Sequence, residues 1–182
     1  MARNLYFIAV LPPEKLRSRV EALKLEVKRR YGASHALKSP AHITLQMPFR
    51  REEDGEEALC VLLEECAATR TSFEVELDGF DCFAPRVLFL RIKDHSPLLP
   101  LQDHLRKVLV RSGTIPDRGP VYPFHPHMTI ATRDLSREAF QRAWPEFRDR
   151  PFKAAFEVGS LFLLKHNGRH WDIFREFGFS GD

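Results

Sequence analysis

Cysteine is scarce in this chain. There are three in 182 residues, Cys60, Cys66 and Cys82, with no C-x-x-C pair and no zinc-ligand spacing. An odd and sparse set argues against a disulfide framework and fits a reducing cytoplasm. Long hydrophobic runs are also missing. The apolar stretch at residues 5–11 is cut off by Pro12-Pro13. It is too short to span a bilayer and carries no small-residue cleavage site, so it reads as a buried first strand and no membrane partner is expected. Charge of one sign is lacking too. Lys plus Arg is 28 against 25 for Asp plus Glu, a formal +3 with no basic tail. That balance argues against wrapping duplex DNA and suits a protein that handles a small anionic ligand.

What is present describes a packed globular chain. The sequence is 43% hydrophobic and 29% charged, which excludes intrinsic disorder, and its 15 phenylalanines predict an aromatic core. A strand at 5–11 is followed by a helix from Pro13 to Gly32, with Leu16, Val20, Leu23, Leu25 and Val27 as its apolar face. A loop at 33–40 leads to a strand at 41–49. The Glu-rich stretch 52–57 then caps a helix carrying Leu59, Val61, Leu62 and Leu63. Strands at 73–77 and 87–92 precede a helix at 97–112, a Gly/Pro-rich loop at 113–123 and a strand at 124–132. Asp134-Leu135-Ser136 opens a further helix running to about residue 148. Two closing strands, 152–165 and 170–177, are joined by Asn167-Gly168, a hairpin turn signal.

The order of elements repeats. Each half holds strand, helix, loop, motif strand and helix, then a strand or hairpin. The fold class expected is α+β: two pseudo-symmetric lobes, with antiparallel sheets lining a central cleft and helices outside. Residues 1–182 are expected to form one bilobal domain, with lobes at roughly 1–85 and 86–182 and exchange of strands between them left open.

The two motif strands share a pattern: His42-Ile43-Thr44-Leu45 and His127-Met128-Thr129-Ile130. Side chains alternate along a strand, so His and Thr point to one face and the apolar pair to the other. Eight histidines and six threonines give about 0.26 H-x-T by chance, and about 0.05 once both neighbours must be apolar. Two copies on matched strands therefore carry weight. Histidine titrates near neutral pH, so a facing pair can divide the proton transfers of a displacement at phosphorus. Threonine hydroxyls can donate to the non-bridging oxygens.

Paired H-x-T motifs of this kind resemble those of the 2H phosphoesterase superfamily, which includes bacterial RNA 2′,5′-ligase or cyclic phosphodiesterase proteins. The resemblance implies two lobes around a cleft and metal-independent cleavage of 2′,3′-cyclic phosphates or 2′,5′ linkages, with no cofactor. It implies that His42 and His127 are the catalytic pair and that Thr44 and Thr129 hold the phosphate. Substrates would be RNA ends or small cyclic nucleotides, handled by a monomer with no obligate protein partner. Rival readings are 2′,5′-phosphodiesterase or ligase activity, and a non-catalytic module that binds RNA ends.

Further candidates flank the motifs. Arg133, Arg50 and Lys38 are cations near one motif or the other, able to make charge-assisted bonds to phosphate. Phe49, Tyr122 and Phe124 are candidates for stacking on a base, against the plainer reading of core phenylalanines. His125 is expected at the rim of the cleft. His125-Pro126-His127 also has chelating H-x-H spacing, but no carboxylate cluster or cysteine lies near it in sequence, so no metal ligands are assigned.

Overall fold

The computed structural model describes residues 3–118 and 123–181. Eight strands and four helices occur among them: β1 (Arg3–Val10), α1 (Glu14–Tyr31), β2 (Ile43–Glu52), α2 (Glu56–Ala68), β3 (Phe73–Phe83), β4 (Val87–Ile92), α3 (Leu98–Arg111), β5 (His127–Ala131), α4 (Arg137–Phe147), β6 (Lys153–Val158), β7 (Ser160–His166) and β8 (Trp171–Gly178). They form two four-stranded antiparallel sheets, in the orders β2-β1-β7-β8 and β5-β4-β3-β6. The fold is the expected α+β arrangement of two antiparallel sheets with helices packed on them.

β1 reads as a continuous apolar run because both its faces are covered. Tyr6, Ile8 and Val10 enter the main core, while Phe7, Ala9 and Leu11 form a separate small cluster with Leu164. α1 buries Leu16, Val20, Leu23 and Val27 and ends at Gly32, whose φ of 77° closes the helix with an N–H bond to the Lys28 carbonyl. Two expected core positions are corrected: Leu25 and Val61 are each 50% exposed. Each lies two residues from a buried leucine, and two helical steps of 100° reach the opposite face. The helices reach across the fold. α1 packs against β5 of the second sheet, and α3 against β2 of the first.

The closing segment also departs from expectation. Residues 152–165 are not one strand. The chain breaks at Gly159, so β6 completes the second sheet and β7 joins β1 in the first. The first sheet thus draws on both ends of the chain, and the second on the stretch between them. β5 starts at His127 rather than 124, and β3 runs on to Phe83 past an irregularity between Leu77 and Phe80, where Gly79 has a φ of 72°. The consequence for the site lies in strand order. β2 and β5, the two motif strands, are each the edge of their sheet, and they lie in contact with each other.

Candidate active site

His42 immediately precedes β2, and His127 is the first residue of β5. Ile43, Leu45, Met128 and Ile130 are buried, as the alternation requires, while Thr44 and Thr129 stay partly exposed beside their histidines. The two rings are held in the same way. His42 Nδ1 lies 2.8 Å from the Pro40 carbonyl, and His127 Nδ1 lies 2.7 Å from the His125 carbonyl. A carbonyl oxygen only accepts, so each ring carries a proton on Nδ1 and keeps Nε2 for other work. Each ring also rests on a phenylalanine of the neighbouring strand. Phe7 lies 4.8 Å from His42, and Phe89 lies 4.9 Å from His127, with Phe83 set edge-on to His127 at 5.0 Å.

These surroundings disfavour the imidazolium. Burial pushes His42 down to about 4, against its Pro40 hydrogen bond and aided by the positive charges of Lys24 and His127. The contact between β2 and β5 brings the two motifs together. Burial lowers His127 as well, with His125 and His95 acting in the same sense. Both shifts favour the neutral ring at pH 7. An anion placed beside the rings would act in the opposite direction and favour the protonated form.

The other predicted residues are scattered more widely. His125 is exposed and sits 4.9 Å from His95, perpendicular to it. Lys38 is exposed at the end of a short 3₁₀ turn, His35–Lys38, and borders a cavity with Ser39, Pro40 and Ala41. Arg133 is exposed, has a φ of 57° and adds its charge to the environment of His35. Arg50 is not brought to the motif. It is eight positions beyond His42, about 26 Å along an extended strand, where it lines a separate cavity with Arg3 and Arg51. Phe49 and Phe124 pack against the main core, Phe49 opposite the fully buried Tyr6 at 6.1 Å. Both rings are only partly buried, with one side on the core as the plainer reading had it. Tyr122 lies outside the described residues. Among the described residues no group of three or more His, Cys, Asp or Glu is arranged to hold a metal ion.

Two supporting residues escaped the sequence reading. Lys24 is only 3% exposed, and its Nζ donates to the Ser39 carbonyl at 2.9 Å, next to the Pro40 carbonyl that orients His42. The signal was available: position 24 follows Val20 by four on the apolar stripe of α1. Asp134 follows the second motif and accepts the backbone N–H groups of Ser34 at 2.8 Å and His35 at 2.9 Å. It ties the segment after one motif to the loop before the other. The sequence shows only a helix-start signal there.

The profile of the 2'-5' RNA ligase superfamily matches residues 12–170. The chain belongs to that superfamily. This is the 2H phosphoesterase group whose paired motifs the two strands resemble. A Bacillus subtilis protein named RNA 2',3'-cyclic phosphodiesterase is 28% identical over 74% of each chain. The protein TT0787 of Thermus thermophilus superposes with a TM-score of 0.69 at 24% identity, covering 98% of this chain and 99% of the other. Escherichia coli LigT in complex with 3'-AMP gives a TM-score of 0.70 at 19% identity, over 98% and 99%. At those identities the two structures speak to the superfamily fold alone. Among the described residues no helix is long and apolar enough to cross a membrane.

Proposed function

We propose that this protein hydrolyses 2′,3′-cyclic phosphate ends of RNA or of nucleotides, with His42 and His127 as general base and general acid. The matched Nδ1–carbonyl bonds carry this reading, because they leave one free Nε2 on each of two edge strands that meet. One neutral Nε2 takes a proton from water as the water oxygen attacks phosphorus. The other ring, protonated at Nε2, gives its proton to the departing ribose oxygen as the P–O bond breaks. The products are a phosphate monoester and a free ribose hydroxyl. Proton exchange with solvent resets both rings. Thr44 and Thr129, two residues along each strand from their histidines, donate to the non-bridging oxygens where charge accumulates. The name of the Bacillus subtilis relative and the nucleotide bound to LigT are consistent with a nucleotide-end substrate.

The test is turnover of nucleoside 2′,3′-cyclic monophosphates and of a cyclic-phosphate-ended RNA in the presence of EDTA. Chelator-resistant activity should fall by about 10² to 10⁴ in both His42→Ala and His127→Ala. Near-normal activity in either variant defeats the two-histidine reading. Activity confined to a 2′,5′-linked dinucleotide reassigns the substrate to that linkage.

A further inference from the structure

Beside the first motif lies a cavity of about 360 Å³, at the lower end of the size range of ligand pockets. Arg17 and Lys24 of α1 line one part of it, and Lys38 with the Ser39–Ala41 segment lines another. Lys24 is the only charged residue among the described buried side chains. Its ammonium has three donors and one protein acceptor, the Ser39 carbonyl, and among the described residues no carboxylate lies within 4 Å of it. Arg17 Nε is also buried and has no hydrogen-bond partner. Glu14 and Glu21 border the cavity as well, but both are exposed, and Glu21 offsets the charge of Lys24 only at a distance. A buried cation with unused donors is costly unless an anion completes it.

The cavity extends to Trp171. That ring lies 4.7 Å from Phe7, and Phe7 lies 4.8 Å from His42. The cavity therefore reaches to within one aromatic ring of the first motif, and Pro40, whose carbonyl orients His42, is part of its lining. We propose that this cavity is a second phosphate subsite, in which Arg17, Lys24 and Lys38 bind the internal phosphodiester next to the processed end of an RNA chain. The proposal rests on the phosphoesterase reading of the motifs and adds to it a preference for polymer ends over mononucleotides. Arg17 and Lys24 supply point charges and N–H donors, which recognise a phosphodiester without regard to sequence.

The experiment compares two substrates, a cyclic-phosphate-ended oligoribonucleotide and a nucleoside 2′,3′-cyclic monophosphate, on the wild type, Arg17→Ala and the Arg17→Ala/Lys38→Ala double variant. Lys107→Ala, an exposed lysine on α3, serves as the charge-matched control. Loss of one charge-assisted bond should lower kcat/KM for the oligonucleotide about tenfold, mainly through KM. The log–log salt dependence should flatten by about 0.7 per contact removed. Mononucleotide turnover has no second phosphate to lose and serves as the internal reference. Equal losses on both substrates, or no loss on the oligonucleotide, overturn the proposal. So does capture of inorganic phosphate by the cavity without discrimination between the two substrates. Should the wild type cleave neither substrate, fluorescence anisotropy of a labelled 3′-phosphorylated oligoribonucleotide decides the matter apart from turnover. Weaker binding to Arg17→Ala than to the control upholds the subsite, and equal binding removes it.

Discussion

Replacing Lys24 by methionine removes a buried charge while nearly keeping its apolar stem. Burial pulls the Lys24 ammonium from its ordinary 10.5 down to about 8, slightly opposed by Glu21. A shift of that size corresponds to about 3 kcal/mol of destabilisation while the group is charged in both the folded and unfolded states. The sign follows from proton counts. Below pH 8 both states hold the proton and the cost is complete. Between about 8 and 10.5 the folded state releases the proton while the unfolded state keeps it, so the unfolded state binds more protons and stability rises with pH. Methionine has nothing to release. It relieves the desolvation cost at pH 7 but also loses the Ser39 bond, a charged hydrogen bond of about 1.5 to 3 kcal/mol. The two effects nearly cancel, so the variant should be as stable as the wild type at pH 7, or more so by about 1 kcal/mol. Urea denaturation of both proteins at pH 7, 8, 9 and 10 measures the difference, with the wild type gaining on the variant above pH 8. A loss above about 2 kcal/mol at pH 7, the size expected for breaking a needed buried interaction, refutes the reasoning. A stability gap that stays constant from pH 8 to 10 refutes it equally.

The remaining predictions concern the motifs. Because burial lowers both His42 and His127, the free enzyme holds one neutral and one protonated ring most often on the acid side of the usual histidine range. The kcat/KM profile should therefore peak below pH 6.5 and fall as pH rises, while the kcat profile of the phosphate-bound enzyme lies at higher pH. A kcat/KM maximum at or above pH 7 contradicts this. In Lys24→Met the loss of a nearby positive charge should move the kcat/KM profile towards alkaline pH. Asp134→Ala removes the acceptor for the Ser34 and His35 amides and should cost about 1 to 2 kcal/mol in chemical denaturation. Against the burial that raises it, those amides hold the Asp134 carboxyl below its ordinary 3.8. The gap between wild type and variant should accordingly be full at pH 7 and shrink as the carboxylate protonates below that value.

Much of this protein was determined locally. Alternation along residues 42–45 and 127–130 set His and Thr on one face and apolar residues on the other, and the buried positions of Ile43, Leu45, Met128 and Ile130 follow that pattern. Helix starts, the Gly32 stop and the Asn167-Gly168 hairpin were legible because they depend on the φ preferences and caps of a few neighbouring residues. The tertiary structure decided what depends on contacts distant in sequence. Hydrophobic period cannot tell an edge strand from a central one, so only strand order shows that β2 and β5 both lie at edges and meet. The break at Gly159 passes unnoticed in an apolar run, because both sides of it have the same period. Phe49 and Phe124 look alike as cleft or core residues until tertiary packing sets one side of each ring on the core. Lys24 gains its character the same way. Its charge is written in the sequence, but its desolvation is produced by the elements that close over it.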